Sequence, residues 1–319
     1  MAQPTVARAR RASVAVKIET TYNTDPTLAA ADIVPMENVA YASVQEQHPD
    51  NRLTGLMAQL PDIAGGRQAS IRGEAKLRGA GVAYSASVKP EVDALLRAMG
   101  LSATGEFTGG AENWDYAPLS ATFESVAAAM YVENATQGKI LGAFGTGRIS
   151  CRAGAPAVFS VGLSGLYGVP TDVALITATL PTVIPPVFKS GVVTFDGVTT
   201  LRVSAIEVDL GNSLVYLPSA SDAQAFGAVM IADRRITMTL DPEAVTAAVY
   251  NFHSKRDDAT RVAVSWQVGT VQYNRIKFSA PKVQILEINQ VQRNGLLAYQ
   301  LACLLSASVG ADELTISFD

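Results

Sequence analysis

Side chains able to do acid–base or nucleophilic chemistry are scarce in this chain and are not spaced to cooperate. Its two histidines, His48 and His253, are far apart in sequence. His48 lies in a polar turn, and His253 lies near an expected helix end beside Lys255, Arg256, Asp257 and Asp258. A general base needs a partner within hydrogen-bond reach; a solvated turn and a helix-terminal cation are the ordinary readings of these two positions. Cys151 and Cys303 each sit inside an apolar, strand-like run and read as core thiols, with no disulfide framework. Histidines and cysteines together lack the close ligand spacing of a structural zinc site. The stretch Gly142–Gly147, Gly-Ala-Phe-Gly-Thr-Gly, lacks the Lys-Ser/Thr ending and the strand-loop-helix setting of a phosphate loop. Asn134-Ala135-Thr136 matches a glycosylation acceptor, but without an export signal the match is uninformative. No enzymatic activity, metal or cofactor is expected.

Composition narrows the class further. Hydrophobic residues make up 48% of the 319 and charged residues 17%, against roughly 25% charged in an ordinary soluble domain. Some of that surface must be covered. The most apolar run, Val169–Phe188, is broken by Asp172, Pro181, Pro185 and Pro186, so no membrane helix is expected. The basic start, Ala7–Arg11, is not followed by a signal-type apolar segment. Arg8, Arg10 and Arg11 read as a terminal tail. A net charge of −4 argues against a strong grip on nucleic acid, because that affinity comes from clustered Lys and Arg neutralising phosphates.

The strongest positive signal is internal duplication. Three blocks recur in order. In the first, Ala42 and Val44 alternate with Ser43 and Gln45, as Ile206 and Val208 alternate with Glu207 and Asp209, the period of a half-buried strand. A long connection follows in each copy, His48–Gly66 and Gly211–Ala232, and then a second strand burying Ala69, Ile71, Ala75 and Leu77, or Ile236, Met238 and Leu240. The second block is a short helix with the stripe Val92, Leu95, Leu96 and Met99, or Val245, Ala248, Val249 and Phe252. Pro90-Glu91 and Pro242-Glu243 suit the first turn of such helices, and Gly100 suits the end of the first. The third block is a strand pair, Arg148–Gly165 turning at Ala153–Pro156 and Val283–Ser306 turning at Gln292–Gly295. An insertion, Leu101 to about Ala121, holds Trp114 and Tyr116 and reads as a surface loop. The expected organisation is mainly β: residues 1–168 and 191–319 as tandem β-sandwich domains, each with a flanking short α-helix, joined by a proline-rich linker at 169–190.

Two stretches carry a family resemblance. Val14–Pro26, Val-Ala-Val-Lys-Ile-Glu-Thr-Thr-Tyr-Asn-Thr-Asp-Pro, resembles the opening of the tail tube proteins of siphophages, which commonly read Lys-x-Glu-Thr-x-Tyr-Gly-Thr-Asp-Pro. Glu74–Gly81 followed by Pro90–Gly100 resembles that family's Leu-Arg-Gly-Ser-Gly strand end and its Leu-Leu-Arg-Ala-x-Gly helix. Asn23 stands where the family usually has glycine and Ala80 where it has serine; the second copy matches only in pattern.

The resemblance implies a structural virion protein, assembled in the host cytoplasm, whose sandwiches close into rings around a β-lined channel for DNA ejection. A duplicated chain would then form a trimer imitating a sixfold ring. Implied partners are further copies of the chain, the tape measure protein and then genomic DNA in the lumen without sequence-specific binding, and tail terminator and distal tail proteins at the ends. Two sets of residues are singled out. The apolar arms, with Arg52, Leu53, Leu56, Met57 and Leu60, then Leu214, Tyr216, Leu217 and Phe226, are expected to pack against the adjacent ring. The polar strand faces, with Ser43, Gln45, Arg72, Glu74, Lys76, Glu207, Asp209, Arg235, Thr237 and Thr239, are expected to line the lumen. Two other readings remain: the inner tube of a contractile tail or tailocin, and a β-sandwich carbohydrate-binding module, which would expose an aromatic platform at Trp114 and Tyr116.

Overall fold

The computed structural model describes residues 8–133, 136–178 and 182–319; Ala7, Asn134, Ala135 and Pro181 lie outside them. In the first half the strands are β1 (Ala12–Ile18), β2 (Glu37–His48), β3 (Ile63–Lys76), β4 (Leu101–Glu106), β5 (Asn113–Pro118), β6 (Val126–Val132), β7 (Thr136–Arg152) and β8 (Val158–Tyr167), with helix α1 (Asp93–Ala98) between β3 and β4. The connector holds β9 (Thr171–Asp172). In the second half are β10 (Val193–Phe195), β11 (Val203–Asp209), β12 (Asn212–Pro218), β13 (Phe226–Arg234), β14 (Thr237–Pro242), helix α2 (Phe252–Asp257), β15 (Arg261–Val268), β16 (Ile276–Arg293), β17 (Leu296–Leu305) and β18 (Thr315–Phe318).

The two halves of the chain contribute two successive runs of strands to one sheet. One sheet contains the run β2-β3-β8-β7 followed directly by β11-β14-β17-β16. Around each run the accessory strands also correspond, with β1 on β6 and β6 on β7, as β10 on β15 and β15 on β16. The long strands β7 and β16 serve two layers. The first part of β7 pairs with β6, and its last part, from Arg148 to Arg152, pairs with β11. A register shift between Leu141 and Phe144 marks the bend, matched in β16 by a shift between Ile285 and Glu287; such bulges bend a strand and raise its twist. The β16–β17 hairpin turns on Asn294 and Gly295, at φ 49° and 79°, the left-handed pair that an Asn-Gly two-residue turn favours.

Both halves share one sheet and one main hydrophobic cluster. It runs from Val14 and Ile71 through Leu95, Phe159 and Cys151 to Met238, Trp266, Phe278 and Phe318. Along β14, from Ala69 in β3, along the last part of β7 from Thr146 and along the start of β16 up to Ala280 buried and less buried residues alternate, so the apolar face lies on this core and the polar face points away.

Several local expectations are corrected. Helix α2 begins at Phe252, where the expected stripe ends, and Val249 is exposed. Asn251 explains the shift: its side chain accepts from Ser254 N at 3.0 Å, capping the later start. Pro242 closes strand β14 and opens no helix. The Leu101–Ala121 insertion is not a surface loop. It forms the β4–β5 hairpin, and β5 pairs with C-terminal strand β18, stitching the first half to the second. The connector is not a bare linker either, since Leu175 and Ile176 pack on Ala15, Leu28, Ile33 and Tyr131. Nor is the basic start loose: Arg8 and Arg11 both pair with Glu133.

The N-terminal motif that carries the resemblance is a structural knot. Glu19 is buried, and its carboxylate accepts from Ser125 Oγ at 2.7 Å, Gly142 N at 2.8 Å and Asn23 N at 2.8 Å. Gly142 N is thus satisfied at the bend of β7. Asn23 sits at φ 56°, the left-handed region that explains a usual glycine there and the tolerance of asparagine. Glu19→Ala leaves three donors without their acceptor, and we expect a loss of about 2–4 kcal/mol in the denaturation free energy; a variant as stable as the parent would remove this role.

Candidate functional site

Neighbouring residues in a ladder share a face, so the registers define which side chains form one surface. On the face away from the core, Glu74 lies opposite Ser160, Ser160 opposite Arg148, Arg148 opposite Asp209, and Asp209 opposite Thr237. A parallel row runs through Ser150, Glu207, Thr239 and Ala302 to Glu287. Arg72, Glu74, Lys76, Glu207, Asp209, Thr237 and Thr239 therefore lie on one continuous polar surface crossing both halves. Arg235 precedes β14 and is exposed just beyond its first residue.

Ser43 and Gln45 lie on the other face. Ser43 is opposite buried Ala69, whereas Ala42 is opposite Ser70 and Val44 opposite Gln68. The alternation in β2 is thus the reverse of its sequence reading: Tyr41, not Ala42, faces the core, and Val44 is 64% exposed. β2 is an edge strand, paired with β3 alone among the described residues.

Arg148 was not singled out from sequence, yet it sits where the halves meet. Its guanidinium reaches Glu207 at 2.6 Å and Asp209 at 2.9 Å, clamping β7 to β11. Elsewhere on this surface Lys76 pairs with Glu37 at 2.5 Å and Arg293 with Asp241 at 3.5 Å. Charges of both signs are interleaved and largely neutralise each other. The signal available in sequence was the alternation of Arg148, Ser150 and Arg152 with Ile149 and Cys151.

The two arms behave differently. Residues 49–62 of the first form no strand or helix; Leu53, Leu56 and Met57 are 103%, 75% and 105% exposed, Leu60 is half-buried, and Arg52 pairs with Asp50 at 2.5 Å. The second forms the β12–β13 hairpin and folds onto the first half. It turns back at Gly211 (φ 60°), where a Cβ would stand 2.1 Å from Arg235 O. Phe226, Val229 and Ile231 pack with Phe144 and Leu166, joined by Leu214 and Tyr216. Tyr216 Oη donates at 3.2 Å to Ala69 O, and Val229 N donates to Tyr22 Oη at 2.8 Å, tying the arm to the N-terminal motif. Val215, Leu217 and Met230 remain exposed on the hairpin's outer side.

No aromatic platform exists at Trp114 and Tyr116. Both are buried, Trp114 Nε1 donating to Val88 O at 2.9 Å and Tyr116 Oη to Asp93 Oδ1 at 2.8 Å. His253 packs edge-on against Tyr299, and Gly142–Gly147 lies within β7, with no phosphate-loop geometry. Among the described residues no cluster of His, Cys, Asp and Glu could hold a metal, and no helix is long and apolar enough to cross a membrane.

The family model described as phage tail tube protein matches residues 9–311. The chain belongs to the phage tail tube proteins. No curated protein gives a match, and the assignment rests on the family model. A tail tube protein is a structural component of the virion, built to assemble with copies of itself.

Cys151 and Cys303 are free and buried, and burial pushes both thiols up to about 12. Since the thiolate is the reactive form, iodoacetamide at pH 8 should modify neither in the native tail tube protein and both in denaturant; mass spectrometry reads the difference. Arg148 is largely exposed, so Arg148→Ala should lower stability by under about 1 kcal/mol in urea titration, the backbone ladder remaining intact.

Proposed function

We propose that this chain is the major tube subunit of a long, non-contractile phage tail, forming rings of three chains that imitate sixfold symmetry and stack into the conduit for DNA. One observation carries the reading: β2-β3-β8-β7 and β11-β14-β17-β16 repeat the same strand order side by side in one sheet with one polar face. On this reading residues 1–168 and 191–319 act as two equivalent positions of the ring, and closing the ring removes the free sheet edges that would otherwise invite irregular pairing.

The polar face, with Arg72, Glu74, Lys76, Glu207, Asp209, Thr237 and Thr239, is proposed as the lumen lining. Interleaved, mutually paired charges present a wetted wall that neither clusters cations for a polyanion nor repels it uniformly. That suits a channel filled first by the tape measure protein and then by DNA in transit, with terminator and distal proteins at the tube ends. Ser43 and Gln45 are outside this assignment because of the side they occupy.

The arms are proposed as assembly contacts. The second arm rests on the first half through Phe144 and Leu166, whereas Leu53, Leu56 and Met57 of the first arm stand exposed, and another copy is proposed to cover them. Val215, Leu217 and Met230, on the outer side of the second arm, are proposed for contact between stacked rings.

Electron microscopy of concentrated protein tests the reading: hollow rings of threefold or pseudo-sixfold symmetry, and stacks of them, are expected, and dispersed compact monomers at every concentration would refute it. Deleting Arg52–Gln59 should give a folded protein of near-parental stability that forms no tubes; normal tubes from this variant would discard the role given to the first arm.

A further inference from the structure

The seam between the two halves of the chain has a defined register. Within the chain, the last part of β7 pairs with β11 so that Arg148 faces Asp209, Ile149 faces Val208 and Ser150 faces Glu207. The matching elements of the outer edges are unpaired on one side among the described residues: β2 pairs only with β3, and Glu287–Arg293 of β16 pairs only with β17. Such exposed ladders are ready templates for another strand.

Backbone matches fix which residues correspond. Leu77 N donates to Ala157 O at 2.9 Å, and in the second repeat Ala244 N donates to Leu297 O at 3.2 Å. Ser150 lies opposite Val158 as Val291 lies opposite Ala298. Arg72 lies opposite Ala40 as Thr239 lies opposite Glu207. These place Asn289 at the position of Arg148, Ala42 at that of Asp209 and Ala40 at that of Glu207.

We propose that β2 of one copy pairs antiparallel with the C-terminal part of β16 of the next in the register of the internal seam, setting Ala42 opposite Asn289, Tyr41 opposite Gln290 and Ala40 opposite Val291. The proposal rests on the tube reading and adds to it a partner surface, a register and a difference in chemistry. Arg148, Glu207 and Asp209 clamp the internal seam by ion pairs; their counterparts Asn289, Ala40 and Ala42 carry no charge. Copies therefore join at this position through backbone hydrogen bonds alone, and the small alanines allow close approach.

The register is measurable by cross-linking. In the internal seam Leu210 N donates to Gly147 O at 3.0 Å and Ala153 N to Ser204 O at 2.9 Å. Arg148 and Asp209 thus fall at a non-hydrogen-bonded pair, where Cα atoms stand about 4.5 Å apart, within the range a disulfide spans. Mixing Ala42→Cys with Asn289→Cys under mild oxidation should give disulfide-linked dimers. The double variant A42C/N289C should give species up to a closed set of three on non-reducing gels, and Ser43→Cys mixed with N289C should give little. Neither position is buried, and the native thiols are. Should A42C or N289C not fold, Ala40→Cys with Val291→Cys probes the next such pair. Rings without the 42–289 link, or with a stronger 43–289 link, overturn the seam and leave the tube reading standing. Monomers from parent and variants alike overturn both.

Discussion

The backbone ladder between β7 and β11 is the interaction on which this architecture depends. It joins residues 148–152 to 205–209 and so makes the two halves of the chain one sheet with one polar face. A tether alone would leave the repeats free to move against each other, because a flexible linker restricts distance and not orientation. Antiparallel pairing fixes both. It also fixes side-chain parity, since a slip of one residue would send Ile206 and Val208 to the polar side and Glu207 and Asp209 into the core. The Arg148 clamp is secondary: an exposed ion pair contributes little beside that parity.

The same constraint explains the low charge. With only 17% charged residues, the chain places charges of both signs as neighbours on one sheet face and covers apolar surface by folding its own parts together. The β12–β13 hairpin lies on Phe144 and Leu166, β18 reaches back to β5, and the connector lies on β1 and β6 through Leu175 and Ile176. What stays uncovered includes Leu53, Leu56 and Met57 of the first arm and Val215, Leu217 and Met230 on the outer side of the second, beside scattered positions such as Ile184, Val271 and Val309. Exposed apolar side chains gathered in projecting segments are characteristic of surfaces buried on association.

Sequence alone determined the features that depend on near neighbours along the chain. The period-two strands, the Asn294-Gly295 turn and the buried cysteines are local properties, and local chemistry is written in adjacent residues. The motif around Glu19 was also legible as a pattern, although its role in joining β6, β7 and the second arm was not.

Tertiary structure alone decided which face of β2 is covered, that Leu101–Ala121 forms core strands, where α2 starts, where each arm goes, and that the repeats share a sheet. An edge strand is buried from one side only, so alternation of small residues such as Ala42 with polar ones such as Ser43 does not define its inner face. Trp114 and Tyr116 are held by partners far along the chain, including Phe318 against Tyr116. The second arm folds down on Phe144 and Leu166, while the first arm, of similar apolar content, leaves Leu53, Leu56 and Met57 exposed. Hydrogen-bond ladders and apolar contacts between residues distant in sequence made these choices, and neighbouring residues along the chain carry no record of such partners.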